Sequence, residues 1–359
     1  MGIITAILVL SLLIFIHEFG HFIAARMMGV TVEVFSIGFG KTLLSRKIGA
    51  TEYRVSAFLL GGYVRMKGQD DASPLAKSGE IDAYDTKKPW QRIFILFAGP
   101  FANFVLAFFL FWVAAIIGFN ALAPTIGKVL ENSPAEKAGL LTGDKVLQIN
   151  GEAIDDWQKL SEAIRLSEHA TLFSVDRGGE ILLLTINPEM SEGENVFGEK
   201  ERRKMAGIAP SGEIITLNYG AIDAVKVAWG KTIYASTLIF QSVYKLISGA
   251  IGLDNMGGII SIVDITAKAS AISFAALLGF TALLSVNLGV LNLLPIPALD
   301  GGHIIFNVYE QIFRRPPNEK VLLRLTIAGW AILCGLMFLG LYNDVVRLYK
   351  EHYTETRSE

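Results

Sequence analysis

The sequence predicts a polytopic α-helical membrane protein with about four transmembrane helices, a membrane-associated β-sheet and an inserted extracytoplasmic α+β domain. Hydrophobic residues make up 52% of the 359 residues and charged residues only 18%, whereas a soluble domain carries about a quarter charged residues. Four apolar runs are long enough to cross a bilayer, and the stretches between them carry strand and turn signals. This composition excludes a disordered chain and argues against a fully soluble protein.

The transmembrane helices are predicted from run length, since a bilayer core of about 30 Å takes roughly 20 apolar residues in a helix. The four runs cover residues 3–25, 93–119, 271–299 and 325–341. A fifth run, residues 233–251, is weaker because it contains Gln241 and Lys245. We interpret it as an amphipathic helix on the membrane surface. The first run does not read as a cleaved signal peptide, because no basic residues precede it and ionisable residues interrupt it.

Basic residues predict the orientation of these helices, because cytoplasmic loops are enriched in Lys and Arg. Residues 26–92 contain eleven Lys or Arg. The loop after the third run contains Arg314, Arg315, Lys320 and Arg324. We therefore expect both loops in the cytoplasm, and both termini and residues 121–270 on the opposite side of the membrane.

A β region is predicted inside the N-terminal membrane half, which we place at residues 1–120. Residues 31–39 and 53–66 are too short to span as helices, are rich in β-branched and aromatic residues, and are punctuated by glycine. At membrane depth, β backbone is tolerated only when it packs on protein or lines a wet cavity. We therefore expect the β region, residues 31–67, to form a small sheet that dips toward the bilayer.

The extracytoplasmic segment has the element order of a small α+β domain. Short strand and helix signals alternate through residues 124–154, and Asn150 with Gly151 is a hairpin signal. The order resembles a bacterial PDZ domain, which we place at residues 121–189, and such domains bind an extended chain at a sheet edge. A plain β domain with an unused groove is the alternative. The next segment, residues 190–270, comprises a linker and the amphipathic helix, and the polar stretch at residues 188–204 is interpreted as solvated linker. The C-terminal membrane half is residues 271–359.

Three ionisable side chains, His17, Glu18 and His21, fall within the first apolar run, and a fourth, Asp300, stands at the end of the third run. A charge at bilayer depth costs at least about 2.5–3.5 kcal/mol, and binding to a metal offsets that cost. His17 and His21 are four residues apart, on one helix face. They form an HExxH pattern, in which two imidazoles bind zinc and the glutamate acts as general base.

Composition limits the other ligands and partners. The single cysteine, Cys334, excludes an internal disulfide and a cysteine-only zinc site. The net charge of −2 provides no basic field for nucleic acid. Any metal must therefore be held by histidine and carboxylate side chains.

Asp300 is the candidate third ligand, since a catalytic zinc takes three protein ligands and keeps one open position. It follows Pro295 and Pro297, which break the helix, and precedes two glycines that allow a sharp turn. His303 is a competitor, and a helix cap is the alternative role for Asp300. His17 lies about 21 Å into the first span, so both motifs fall on the cytoplasmic side of the midplane.

Together these motifs resemble the site-2 protease family of intramembrane zinc metalloproteases. The resemblance rests on HEFGH in the first run, SIGFG and GGYVRM after it, FAGPFAN in the second run, and SVNLGVLNLLPIPALDGGH around Asp300. It covers nearly the whole chain. The chain departs in length, because it holds one PDZ-like domain where the best-known relatives carry two.

The resemblance implies one Zn²⁺ held by His17, His21 and Asp300, with Glu18 as the general base. It implies hydrolysis of peptide bonds within the transmembrane segments of single-pass proteins, in the bacterial cytoplasmic (inner) membrane and near its cytoplasmic side. Substrates would be anti-sigma factors already trimmed outside, or remnant signal peptides. The PDZ-like domain would bind a peptide or protein, as a docking site or a size filter.

The resemblance also implies substrate-binding residues. Asn287 and Asn292 would hold the backbone of an unwound substrate through their amides. Gly61 and Gly62 would belong to a sheet whose edge pairs with that backbone. Hydrogen bonding between helices is the alternative for both asparagines, and we interpret Asn103 as a helix-packing residue.

Two other function classes remain as alternatives. A membrane metal transporter could use the same His/Glu/Asp cluster, but the sequence lacks the repeated or inverted spans typical of transporters. An inactive scaffold is the third class, and the intact HExxH pattern together with Asp300 argues against it.

Overall fold

The computed structural model describes residues 2–69, 79–195 and 197–358. Part of the predicted cytoplasmic loop, residues 70–78, lies outside the described residues. The chain forms two compact units: the first combines Met1–Ala114 with Ala221–Glu359, and the second is Ala115–Gly220. The described helices are α1 (Gly2–Met27), α2 (Pro89–Ile117), α3 (Pro134–Lys137), α4 (Trp157–Leu166), α5 (Ala221–Ile247), α6 (Ile259–Ile272), α7 (Phe274–Asn292), α8 (Asp300–Phe313) and α9 (Glu319–Ser358).

The strands fall into one long pair in the first unit and several short pairs in the second. They are β1 (Val32–Ile48), β2 (Thr51–Met66), β3 (Phe119–Leu122), β4 (Ile126–Val129), β5 (Lys145–Ile149), β6 (Glu152–Ala153), β7 (Thr171–Arg177), β8 (Glu180–Ile186), β9 (Glu189–Glu194), β10 (Lys200–Met205), β11 (Ile208–Pro210) and β12 (Ile214–Leu217).

In the described part of the chain, four helices are long and apolar enough to cross a membrane: α1, α2, α7 and the Glu319–Lys350 part of α9. Three of the predicted runs lie in α1, α2 and α9. The second run was predicted to reach residue 119, but α2 ends at Ile117. Gly118, which follows, has φ +107, a conformation that stops a helix.

The third predicted run, residues 271–299, is not one continuous helix. Ser273 separates α6 from α7, and its hydroxyl accepts a hydrogen bond of 3.0 Å from the Ala276 N–H. After α7, Pro295 and Pro297 interrupt the helix until α8 begins at Asp300. The candidate span is therefore α7 alone, and the turns after it shape the site described below.

Helix α5 covers most of the predicted fifth run and begins earlier, at Ala221. Among the described helices it is not one of the four candidate spans. Its buried residues are Ala224, Ala228, Thr232 and Ala235. Large apolar side chains on its other faces, such as Trp229 and Phe240, are exposed. The small buried face packs with α2 and α7, and the position of α5 on a membrane surface stays a prediction.

Strands β1 and β2 are bent and together form four antiparallel segments. Residues 44–48 pair with 51–55, which pair with 34–37, which pair in turn with 62–65. The segment at 62–65 is therefore an edge of this sheet. The residues just before this segment lie against α1, because the Ser11 hydroxyl of α1 donates a hydrogen bond to the Leu59 carbonyl oxygen.

The second unit is built on an antiparallel sheet with the strand order β6-β5-β7-β8. Alternate residues of β7, Thr171, Phe173 and Val175, are buried. Phe173 and Val175 face a core that includes Ile126 from β4 and Leu160 from α4. The unit thus has its own hydrophobic core.

This unit is wider than the predicted domain at residues 121–189. Strand β3 pairs with β12, and β4 pairs with β11, so segments from both ends of the unit close it. Residues 188–204, predicted as a solvated linker, lie mostly in the β9–β10 hairpin. Its cross-strand pairs Glu194–Lys200 and Glu192–Arg202 have opposite charges, which stabilise a strand pair without hydrophobic alternation.

Candidate metal centre

The two histidines of α1 meet side by side. His17 and His21 are buried, and their Nε2 atoms are 3.2 Å apart. The spacing of four residues puts both imidazoles on one face of the helix. Both rings therefore present an Nε2 atom to the same point.

Asp300 completes this group from the other end of the chain. Its Oδ2 lies 3.2 Å from His17 Nε2 and 3.4 Å from His21 Nε2. The tight turn around it depends on two glycines. A Cβ at Gly301 would lie 2.3 Å from the Leu294 carbonyl oxygen, and one at Gly302 would lie 2.3 Å from the Ile296 carbonyl oxygen.

The three atoms fit a zinc ion. Ligands about 2.0–2.1 Å from a tetrahedral zinc lie about 3.3 Å from one another, which matches the observed separations of 3.2, 3.2 and 3.4 Å. Asp300 Oδ2 is buried and has no hydrogen-bond partner among the described residues. Three acceptor atoms this close repel one another unless a cation or a proton lies between them.

No further His, Cys, Asp or Glu joins these three side chains in the described part of the chain. His303, the competitor of Asp300, lies on α8 with its ring against Phe306. A site with three protein ligands is the type that keeps a position open for water or substrate.

Helix α2 orients the second histidine. The Ile95 carbonyl oxygen lies 2.8 Å from His21 Nδ1, so Nδ1 carries the proton and Nε2 keeps its lone pair for a metal. Gly99, one turn further along α2, leaves room for the ring. A Cβ there would lie 2.3 Å from His21 Nε2.

Asn103 is a residue whose place at the site was not expected from the sequence. It is fully buried, and its side-chain amide nitrogen lies 3.1 Å from His17 Nδ1. The sequence interpretation gave it a packing role. The available signal was helical spacing, because residues 95, 99 and 103 share one face of α2.

Glu18 faces the sheet edge formed by β2. Its Oε2 accepts a hydrogen bond of 3.1 Å from the Val64 N–H. A Cβ at Gly62 would lie 3.7 Å from Glu18 Cγ and 2.8 Å from the Ser36 carbonyl oxygen, and one at Gly61 would overlap the Phe39 ring. The structure therefore brings Gly62 and Glu18 together and gives both glycines close neighbours.

Asn287 and Asn292 lie on α7, before the turns that lead to Asp300. Both are partly buried, and neither amide has a hydrogen-bond partner among the described residues. Asn287 lines a cavity of about 380 Å³ between α5 and α7. The alternative role, hydrogen bonding between helices, has no described partner to support it.

Comparisons with known proteins agree on one family. The model of peptidase family M50 matches residues 5–336. A Campylobacter jejuni protein is 45% identical over 97% of this chain and 94% of its own length. A Helicobacter pylori protein is 38% identical over 96% of this chain and 99% of its own length. Both carry names that describe them as zinc metalloproteases.

Two further similarities concern length and the second unit. A Vibrio cholerae relative is 32% identical over an alignment of 454 residues, covering 96% of this chain and 98% of the relative, so it contains residues without a counterpart here. A crystal structure of the HtrA3 PDZ domain with a phage-derived ligand is 37% identical over 18% of this chain and 58% of that chain. Its TM-score of 0.18 is too low to establish a shared fold.

Proposed function

This chain belongs to peptidase family M50, and from that membership we propose that it hydrolyses peptide bonds within the transmembrane segments of single-pass membrane proteins. The family and the relatives identify a zinc metalloprotease with several apolar, membrane-type helices. The proposal adds the place of cleavage, the substrate class and the residues that act.

The observation that carries the proposal is the triangle of His17 Nε2, His21 Nε2 and Asp300 Oδ2. Its edges of 3.2–3.4 Å have the size of one face of a zinc tetrahedron. Two of its members lie on α1, which is long and apolar enough to cross a membrane. A cleavage site at this position is within reach of peptide bonds that the bilayer otherwise hides.

In the proposed mechanism, His17, His21 and Asp300 hold one Zn²⁺. When bound, that ion supplies Lewis-acid polarisation of the scissile carbonyl and lowers the pKa of water. Glu18 takes the proton from the attacking water at a carboxylate oxygen and returns it to the leaving amine. Val64 helps to orient the carboxylate, because its N–H donates to Glu18 Oε2.

Substrate binding is proposed at the edge of the β1–β2 sheet that residues 62–65 form. A transmembrane helix must unwind before hydrolysis, and the backbone groups that it frees need new partners. The edge near Gly61 and Gly62 can pair with one side of the unwound strand. The unpaired amides of Asn287 and Asn292 can satisfy further N–H and C=O groups.

We further propose that the protein lies in a bacterial cytoplasmic membrane with its metal centre near the cytoplasmic side. The basic loops support this orientation, and the second unit would then be extracytoplasmic. In this position a PDZ-like unit can dock substrates or exclude large ones. Anti-sigma factors already trimmed outside and remnant signal peptides are the proposed substrates.

The decisive test is Glu18→Gln in the purified full chain, with a single-span peptide substrate in detergent. Because a positioned proton acceptor contributes about 10²–10⁴ in rate, we expect at least about a hundredfold loss of cleavage with zinc content unchanged. The control is Glu319→Gln, an exposed carboxylate at the start of α9, which should cleave normally. Cleavage by Glu18→Gln at the wild-type rate would refute the mechanism.

A further inference from the structure

Asn103 is a buried amide, and helix packing alone does not explain why a polar side chain stands at this position. It is 0% exposed, and its Oδ1 has no hydrogen-bond partner among the described residues. Leaving such an atom unpaired is unfavourable, because it loses its hydrogen bonds to water and gains none in the protein. Its other amide atom lies 3.1 Å from His17 Nδ1, so the side chain is aimed at a proposed zinc ligand.

Two groups on one face of α2 contact the two histidines on one face of α1. Residues 95 and 103 are eight apart, and the longer Asn103 side chain reaches along the helix toward His17. Ile95 offers a carbonyl oxygen to His21 Nδ1. Asn103 stands at the matching position for His17. Each imidazole thus has one partner from α2 on the nitrogen that points away from Asp300.

Metal binding decides which end of the amide faces His17. A neutral imidazole that binds zinc through Nε2 carries its proton on Nδ1, which can then only donate. An amide N–H₂ cannot accept that proton, whereas the amide oxygen can. A half-turn of the amide exchanges two groups of nearly equal size and gives Oδ1 the Nδ1–H of His17.

Helix α7 holds Asn103 in place. The Ser285 hydroxyl donates a hydrogen bond of 2.8 Å to the Asn103 backbone carbonyl, and Ser285 is itself fully buried. With its backbone held by Ser285 and its side chain fully buried, Asn103 has little room for movement other than rotation of its amide. A second partner that is fixed in this way orients a metal ligand without touching the metal.

We propose that Asn103 is a positioning residue of the metal centre: its amide oxygen accepts the Nδ1–H of His17 and holds the Nε2 lone pair toward zinc. This inference rests on the proposed function. It makes α2, which supplies none of the three ligands, the element that fixes the tautomer of both histidines.

The first test is the zinc affinity of the purified full chain, measured by competition with a chelator. Loss of such an outer partner typically costs 10–100-fold in metal affinity, and we expect a loss in that range for Asn103→Leu. Asn307→Leu is the matched control. Asn307 is also a buried amide, but its N–H₂ donates to the His303 carbonyl and not to a histidine ring, so its zinc affinity should stay at the wild-type value.

The second test separates acceptance of a proton from simple filling of space. Asn103→Asp keeps an acceptor at the same position, so it should retain the zinc affinity and the Co²⁺ absorption spectrum of the wild type. An Asn103→Leu variant that folds and binds zinc as tightly as wild type would overturn the inference. An Asn103→Asp variant that binds zinc as weakly as Asn103→Leu would also overturn it. A wild type that binds no zinc would instead defeat the proposed function.

Discussion

Gly99 determines how closely α2 approaches the histidine pair. A Cβ there would lie 2.3 Å from His21 Nε2, the atom that faces Asp300. Gly20 on α1 makes the reciprocal approach, because its Cβ would lie 2.3 Å from the Ala98 carbonyl oxygen. These two glycines let the backbone and amide groups of α2 reach the rings of α1.

We therefore expect Gly99→Ala to weaken zinc binding by at least about tenfold, an effect of the size seen when the partners of metal ligands are disturbed. His21 must move to make room for the new methyl group, although alanine is intrinsically better in a helix by about 1 kcal/mol. Zinc titration and the cleavage assay measure the effect. Gly335→Ala on α9 is the control, since no atom lies within 4 Å of its Cβ position. Tight zinc binding by Gly99→Ala would show that His21 tolerates displacement.

At the residue scale, the sequence predicts the convergence of the ligands better than their surroundings. His17 and His21 could be predicted because their spacing is local, and Asp300 because charged residues are so rare in apolar runs. Their role as ligands stays a proposal. Asn103 was missed because helical spacing shows that residues 95, 99 and 103 share one face of α2, but it does not show that this face meets α1.

At the element scale, one carboxylate joins α9 to α6. Asp344 is buried on α9, and its oxygens accept hydrogen bonds from the N–H groups of Gly258, Ile260 and Ser261 at 2.9–3.1 Å. These N–H groups lie at the start of α6, where a helix has no internal acceptors for them. The Ser261 hydroxyl also donates to Asp344. The cap of α6 is therefore supplied by another helix.

Asp344→Asn should destabilise the first unit by about 2 kcal/mol, the scale of hydrogen bonds to a charged group. The new amide places an N–H₂ donor against backbone donors. Thermal unfolding of the full chain in detergent should show a lower apparent Tm. Asp264→Asn on α6 is the control, because Asp264 is only in an exposed pair with Lys268, and such pairs contribute at most about 1 kcal/mol. Equal Tm values for the two variants would refute the anchoring role.

Helices could be predicted where a long apolar run marks them. The apolar runs predicted the locations of α1, α2 and α9. The third run was predicted as one helix because hydropathy does not register a cap such as Ser273. The β9–β10 hairpin was predicted as a linker because its strands lack hydrophobic alternation and instead oppose charges of opposite sign, such as Glu194 opposite Lys200.

At the scale of the whole molecule, the second unit has its own hydrophobic core and its own partly buried ion pair, Arg177 with Asp144. Arg177 donates two hydrogen bonds of 2.7 Å to the carboxylate of Asp144, and the Leu141 N–H adds one of 2.8 Å. Burial raises the pKa of Asp144, but the donors from Arg177 and Leu141 outweigh burial and hold that pKa below its ordinary value of 3.8. Both residues of this ion pair lie within the second unit.

The lowered pKa gives the second unit an acid-sensitive component of stability. Its ionised carboxylate stabilises the fold above the unfolded pKa, and the contribution disappears as pH falls through the folded pKa. We expect Asp144→Asn to lower the stability of this unit by about 2 kcal/mol at pH 7 and to remove that acid-dependent component. Hydrogen exchange of peptides from Ala115–Gly220 in the full chain measures both. Unchanged exchange at pH 7 would show that the pair does not stabilise the unit.

Sequence composition predicts the class of the whole molecule but not the limits of its parts. The candidate span of α9 is only 6% buried within the protein, and exposed side chains such as Trp330, Met337 and Phe338 fit contact with lipid. The high hydropathy of this segment predicted its contact with lipid from the sequence. The wider second unit was missed because its closing strands, β11 and β12, come after the charged hairpin.

The order of the ligands along the chain has a consequence for biosynthesis. Two of the three proposed ligands lie on α1, whereas the third, Asp300, follows the second unit and helices α2 to α7 in the chain, so it is synthesised much later. A nascent chain that has inserted only its early helices therefore has an imidazole pair but no complete cage. Under the proposed ligation, such a chain cannot yet act as a zinc metalloprotease while translation is still under way.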